Sequence, residues 1–323
     1  MMPALTPVFL LSLPRSGSTL LQRMLGTHPE IFTRGEGHFL LPFFYAGRSE
    51  GVYAAYGHKV VSEEFQHLHD HLPGGAKQVQ QEVGAMAQRL FESLALDARF
   101  YLDKTPRYHL IADDLAAAFP EAKFIVLWRN PLAVAASMIE TFKGGRWNLH
   151  EHHVDLYQGV ENLCAFAEQH APRVHCLSYE SLLASPEQSM REICEYLECA
   201  YSDTMVSLSS APLEGRGDPT GVKAYQEIDG APVEKWKAVM ANALRKKWCR
   251  HYLDWIGEER LALQGCSLTE LVSEIDRLPV SFKRLGRDRL EMLLGRLKLM
   301  FNWPLLVDQR RRKKRGEKLT WYV

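Results

Sequence analysis

The chain has 323 residues, 46% of them hydrophobic and 24% charged, and its 39 Lys and Arg balance 39 Asp and Glu. That is the composition of an ordinary soluble protein, long enough to bury a full core in one large domain or two. The zero net charge hides an asymmetry: from Ser281 to Val323, 13 Lys or Arg stand against 4 Asp or Glu, leaving 26 against 35 in the rest. The cysteines, at 164, 176, 194, 199, 249 and 266, form no CxxC pair and no close-set Cys/His pattern. Neither a zinc site nor a disulfide framework is suggested, and reduced, largely buried thiols fit best. No basic leader, long apolar segment and small-residue cleavage site open the chain, and the first apolar run is too short to span a bilayer. A cytoplasmic protein is expected.

That first run, Val8 to Leu13, leads into Pro14, Arg15, Ser16, Gly17, Ser18 and Thr19 before apolar residues resume at Leu20, Leu21, Met24 and Leu25. The pattern predicts strand, tight loop and helix. Backbone N–H groups, the positive end of a helix dipole, three hydroxyls and the Arg15 guanidinium then gather at one point, which suits a phosphate-like anion. Ordinary α/β packing uses such turns too, so the loop alone leaves a structural role open. Ile31 to Gly37 brings a second strand-like piece to Glu36, and His38 to Phe44 is strongly apolar. Residues 46–96 read as a polar, helical insertion over the sheet, with HLHDHLPGG from His67 to Gly75 as a loop.

Arg99 to Leu102 is the second core strand and runs into Asp103, Lys104, Thr105, Pro106 and Arg107. FIVLW, Phe124 to Trp128, is too uniformly apolar to have a solvated face and should be central in a parallel sheet. It ends at Arg129, and Pro131 opens a helix carrying Ser137. A fourth strand, Val174 to Ser178, precedes Tyr179 and Glu180; Ser185-Pro186-Glu187-Gln188 then reads as a capping box. Strands alternating with helices predict an α/β fold, P-loop-like and three-layered around a central parallel sheet, with ligands at the strand C-termini. Leu213 to Tyr225, which contains Lys223, reads as a mobile glycine-rich loop. A Trp-bearing helical region from Val233 to Ile256 follows. The expected division is a principal domain over 1–265 and a helical, basic extension over 266–323.

A Walker A loop needs Gly-Lys-Ser/Thr at its end, whereas Ser18 follows Gly17, and Arg129 stands where a Walker B aspartate would hold magnesium. Triphosphate hydrolysis is disfavoured. Together LPRSGSTLLQRML, RGEGHFL, DKTPRY, VLWRNPLAVAASMI and YESLLASP resemble the motifs of sulfotransferases that use 3′-phosphoadenosine 5′-phosphosulfate, in the family's order and over roughly Val8 to Tyr196. The resemblance is to the bacterial branch and to the tyrosylprotein and heparan-type enzymes. It implies that Arg15, Ser16, Gly17, Ser18 and Thr19 hold the 5′-phosphosulfate, and that Arg129 and Ser137 grip the 3′-phosphate. Tyr179 would contact the nucleotide, and Lys223 would reach the same phosphate. Glu36 matches the family's catalytic base and Lys104 the lysine that assists the departing phosphate, with Arg15 beside it.

In-line transfer to an acceptor hydroxyl, of a sugar, a lipid or a small metabolite, is the reaction the resemblance implies, with the acceptor pocket walled by the insertions at 46–96 and 141–169; no metal is implied. His38, two residues from Glu36, is the competing base. Thr141 stands where the tyrosylprotein enzymes carry a further arginine, which weakens the case for a peptide tyrosine acceptor. A P-loop nucleotide kinase and a non-catalytic nucleotide-binding module are the alternative readings.

Several groups read more simply. His150 to His153 suggests a solvated loop, and His67, His69 and His71 an exposed or entrance-lining set. Asp103 and Arg107 suggest a local ion pair beside Lys104, and Trp236, Trp248 and Trp255 helix packing. In the extension, Leu290, Leu293, Leu294, Leu297 and Phe301 share a helical face, and Arg310 begins RRRKKR. Peripheral contact with an anionic membrane is one reading of this segment; a helix docked on the principal domain with a basic tail, or a dimer contact, is another. Nucleic acid is not expected as a partner, and oligomerisation is open.

Overall fold

The computed structural model describes residues 5–49, 51–52, 57–95, 97–207 and 234–300, with the single positions 310 and 314. Its centre is a five-stranded parallel sheet in the order β2-β3-β1-β4-β5, made of β1 Thr6–Ser12, β2 Ile31–Thr33, β3 Phe100–Lys104, β4 Lys123–Trp128 and β5 Val174–Ser178. β1 lies in the middle, pairing Val8 with Leu102 on one side and with Lys123 on the other. Strand side chains alternate between the two faces. Phe9, Leu11, Phe124, Val126 and Trp128 enter one core layer, and Val8, Leu10, Ile125 and Leu127 the other. Each such side chain contributes roughly 1.5–3 kcal/mol by leaving water, so β1 and β4 have no face to give to solvent.

The smaller layer is covered by α1 Ser18–Leu25, α8 Tyr179–Ala184 and α9 Pro186–Leu197. The larger one receives α4 Gly75–Leu94, α5 Ala112–Ala118, α6 Pro131–Lys143 and α7 Gly159–Gln169. Short α2 Leu40–Tyr45 and longer α3 His58–His71 lie between β2 and α4. Past the principal sheet come α10 Lys235–Met240, α11 Ala243–Leu263, α12 Leu268–Arg277 and α13 Leu285–Met300. Leu271 and Ile275 of α12 join the larger core layer. Among the described residues no helix is long and apolar enough to cross a membrane.

The three-layer α/β fold is as the alternation predicts; several local features differ. HLHDH is the end of α3, where His71 Nδ1 bonds the His67 carbonyl at 2.7 Å, so only Leu72 to Gly74 turn before α4 begins. Histidine fits a helix as well as a loop, and a residue or two of polar sequence does not decide between them. Ser185 is the N-cap of α9 with proline following, but its side chain caps nothing. The extended segment ends at Thr33, and His38 has a left-handed backbone, φ 56°. Lys223 and Leu213 to Tyr225 lie outside the described residues.

Candidate active site

All five strands run the same way, so the loops after β1, β3 and β4 meet at one edge of the sheet. The β1 loop is the tightest. Arg15 and Gly17 have positive φ, 72° and 94°, on either side of Ser16, an alternation that turns successive N–H groups toward one point. Gly17 caps α1 without a side-chain bond, leaving the first-turn amides of the helix directed into the loop. Gly17 is needed twice over. Besides its φ, a Cβ there would lie 2.3 Å from Cδ2 of the Tyr179 ring.

The loops from β4 and β5 close around this turn. The Arg129 guanidinium carbon lies 4.5 Å from the centre of the Tyr179 ring, and Arg129 Nη1 donates to the Arg15 carbonyl at 2.9 Å. Asn130 caps α6 by accepting from the Leu132 and Ala133 amides, at 2.9 and 3.4 Å. Its own amide donates to Glu180 Oε1 at 3.1 Å, tying the β4 corner to the β5 corner. The helix so started presents Ser137 to the loop, where Arg15 Nε donates to Ser137 Oγ at 3.3 Å. Arg15, Gly17, Arg129, Ser137 and Tyr179 therefore form one connected group from three strand ends, with Ser16, Ser18 and Thr19 buried beside them.

Lys104, at the end of β3, is buried and reaches two other segments. Its Nζ is 2.7 Å from Glu36 Oε1 and 3.5 Å from Thr19 Oγ1. The second Glu36 oxygen is 3.0 Å from His38 Nε2. The turn carrying these two is held from below: the His38 amide donates to Thr105 Oγ1 at 3.1 Å, and a Cβ on Gly37 would stand 3.0 Å from Asp103 Oδ1. Asp103 is buried and accepts from Tyr108 Oη at 2.9 Å. Burial pushes its carboxyl up to about 6, against the opposing influence of the Tyr108 hydroxyl, His38 and Lys104.

Of these groups Arg15, Gly17, Thr19, Glu36, Arg129 and Ser137 line one side of a cavity of about 1050 Å³, while Lys104 and Tyr179 stand behind its lining. Its far wall holds residues the motifs do not include: Phe142 from the end of α6, His152, Asp155, and Lys235 and Trp236 of α10. Among the described residues none of the lining comes from 46–96, one of the two insertions expected to wall an acceptor pocket; Phe142, His152 and Asp155 come from the other, 141–169, and α10 supplies the rest. Arg107 pairs with Asp155 through two 3.1 Å bonds, not with Asp103. His109 and His152 lie 3.6 and 3.5 Å from the same carboxylate. Burial alone would raise Asp155, but the two histidines and Arg107 outweigh it and hold the carboxyl well below the usual range. His152 also stacks on Phe142, with ring centres 4.7 Å apart. A single sequence carries little signal for this wall, because partners far apart in the chain make it.

Away from the cavity, His28, Cys194 and Cys199 place their potential ligand atoms within 4.8 Å of one another. Both His28 nitrogens are used within the chain, Nδ1 accepting from the Glu30 amide at 3.1 Å and Nε2 meeting the Ala200 carbonyl at 2.7 Å. The group reads as a joint between the β2 approach and the end of α9.

Residues 7–203 match the model of the Sulfotransferase family, and the chain belongs to that family. It is similar to protein-tyrosine sulfotransferase 2 of Gallus gallus, with 27% identity over 249 residues that take in 76% of this chain and 63% of that protein. It is also similar to nodulation protein NoeE of Sinorhizobium fredii (strain NBRC 101917 / NGR234), with 37% identity over 136 residues, 42% of this chain and 31% of that protein. The chain thus spans less than two thirds of the length of these curated relatives. Among solved structures, the sulfotransferase domain of the Synechococcus PCC 7002 olefin synthase superposes with a TM-score of 0.53. The match covers 73% of this chain and 88% of that one at 24% identity, and the two share a fold.

Proposed function

We propose that this protein is a sulfotransferase that moves a sulfuryl group from 3′-phosphoadenosine 5′-phosphosulfate to a hydroxyl of a sugar, lipid or small metabolite. The observation that carries the reading is the position of Lys104, whose ammonium links Glu36 to Thr19 of the anion loop. A candidate base and a candidate phosphate site are thereby joined by one buried cation.

The residues present suit the donor. Its 5′ end suits the Arg15 to Thr19 turn, and its 3′-phosphate suits Arg129 and Ser137, where an arginine and a hydroxyl converge. Bound there, the donor supplies an activated sulfur and a bisphosphate leaving group. Glu36 takes the acceptor hydroxyl's proton while that oxygen bonds to sulfur and the bond from sulfur to the 5′-phosphate oxygen breaks. Lys104 and Arg15 offset the negative charge that gathers on the departing oxygen. Positioning and electrostatics carry such a transfer.

The contact between Glu36 and His38 favours a second reading of the base, with His38 taking the proton and Glu36 orienting the ring. Adenosine 3′,5′-bisphosphate should raise the melting temperature where ATP with magnesium does not; the reverse result points to a kinase. In a radiolabelled sulfate-transfer assay, Glu36→Ala should lower kcat by about 10²- to 10⁴-fold without loss of nucleotide binding, and His38→Ala by much less. Near-normal turnover of Glu36→Ala sinks the glutamate assignment.

A further inference from the structure

The C-terminal helix α13 turns a strip of leucines to solvent. At about 3.6 residues per turn, Leu290, Leu293, Leu294 and Leu297 share one side, and each is 40–57% exposed. The opposite side is the docked one. There the buried Asp288 receives a bidentate pair from Arg245, Nε to Oδ2 at 2.7 Å and Nη2 to Oδ1 at 3.0 Å. Gly295 lies so close to His150 that a Cβ would stand 2.7 Å from the ring, and Met292 packs on the core. Turning the leucines inward would break the buried ion pair and drive side chains into His150. Arg289 and Arg296 border the leucine strip on one side, and Arg287 and Lys298, with Glu291 beside them, on the other.

We propose that this face docks on an anionic lipid bilayer, with the helix lying in the interface. An apolar strip bordered by cations is what such a seat requires: the leucines leave water, and the Arg and Lys side chains reach the headgroup phosphates. Two other occupants fit less well. A second copy paired by twofold symmetry would bring four more cations against these four. The segment from Phe301 to Val323, with seven Lys or Arg against two Asp or Glu, has the same sign as the border of the strip. The helix also rests on the Leu149–His152 turn, where Lys298 lies 3.9 Å from Glu151. The helix that carries the docking face on its outer side therefore packs with its inner side on the turn that carries His152 into the cavity wall.

Vesicle binding is measured without turnover, so its failure leaves the sulfotransferase reading untouched. The full-length protein is centrifuged with phosphatidylcholine vesicles, with and without phosphatidylglycerol. It should pellet with the anionic vesicles, stay in the supernatant with the neutral ones, and be released as salt rises. Leu293→Asp/Leu297→Asp should lower the partition coefficient about tenfold or more and melt like the wild type, since both side chains are exposed. Arg289→Gln/Arg296→Gln should weaken binding about fivefold or more. Absence of wild-type binding overturns the proposal, as does equal pelleting of the leucine variant. So does a wild-type dimer in analytical ultracentrifugation that the leucine variant dissociates.

Discussion

At the ends of β1, β4 and β5 the candidate residues are tied in a chain: Gly17 under the Tyr179 ring, Tyr179 under Arg129, Arg129 on the Arg15 carbonyl, Arg15 on Ser137. At the opposite wall Phe142 and Arg107 are each nearly half exposed. The first end is assembled from strand termini, whose positions the sheet ladder fixes. The second hangs from a helix end and a short turn. Such a division suits a protein that must hold one donor in one pose while its acceptor side stays adjustable, because ordering costs are met in folding at the first end and in binding at the second.

The sharpest way to break the comparison is Gly17→Ala. Alanine would carry a side chain into a φ of 94° and place its Cβ 2.3 Å from Tyr179. Strain of this kind costs about 1–3 kcal/mol before the ring has moved. Affinity for adenosine 3′,5′-bisphosphate, measured by titration calorimetry, should fall between about 5- and 150-fold. Unchanged affinity would remove the donor from this turn.

The same division explains what was legible in the sequence. The apolar runs Val8 to Leu13 and Phe124 to Trp128 announce central strands because neither face can be solvated, and strand ends are where single residues such as Arg15, Lys104 and Arg129 stand out. Roles for Glu36 and Ser137 came through the resemblance, since nothing local distinguishes them. Asp155 and His152 were hidden because their meaning lies in Arg107, 48 residues from Asp155. The leucine period of α13 was readable, but not its direction. Periodicity locates an apolar face, and only the buried pair of Asp288 with Arg245 decides that this face points outward.

Asp103 lies beneath the turn that carries Glu36 and His38 and offers a test of intermediate size. Its carboxyl ionises near 6 in the folded chain, raised from 3.8. Between those values the folded chain keeps a proton that the unfolded chain has released, so stability falls as pH rises from about 4 to about 6 and stays lower above that. The loss from this group is about 3 kcal/mol. Asp103→Asn keeps an oxygen for the Tyr108 hydroxyl and does not titrate. Urea unfolding at intervals across this range should show a flatter profile for the variant; an equal slope would mean that the Gly37 turn rests on something other than a protonated Asp103.

Phe142→Ala should have the smallest effect, and its selectivity is what matters. The ring stacks on His152 and faces the cavity without bonding to the group around Arg15 and Tyr179. An aromatic contact is worth about 0.5–1.5 kcal/mol beyond its area, so KM for a hydroxyl acceptor of the wild-type protein should rise about 2- to 10-fold. Turnover at saturation and affinity for adenosine 3′,5′-bisphosphate should hold, because an interaction lost equally from ground and transition states moves KM alone. If nucleotide affinity falls instead, the two ends of the cavity are coupled through α6, whose Ser137 and Phe142 lie little more than one turn apart.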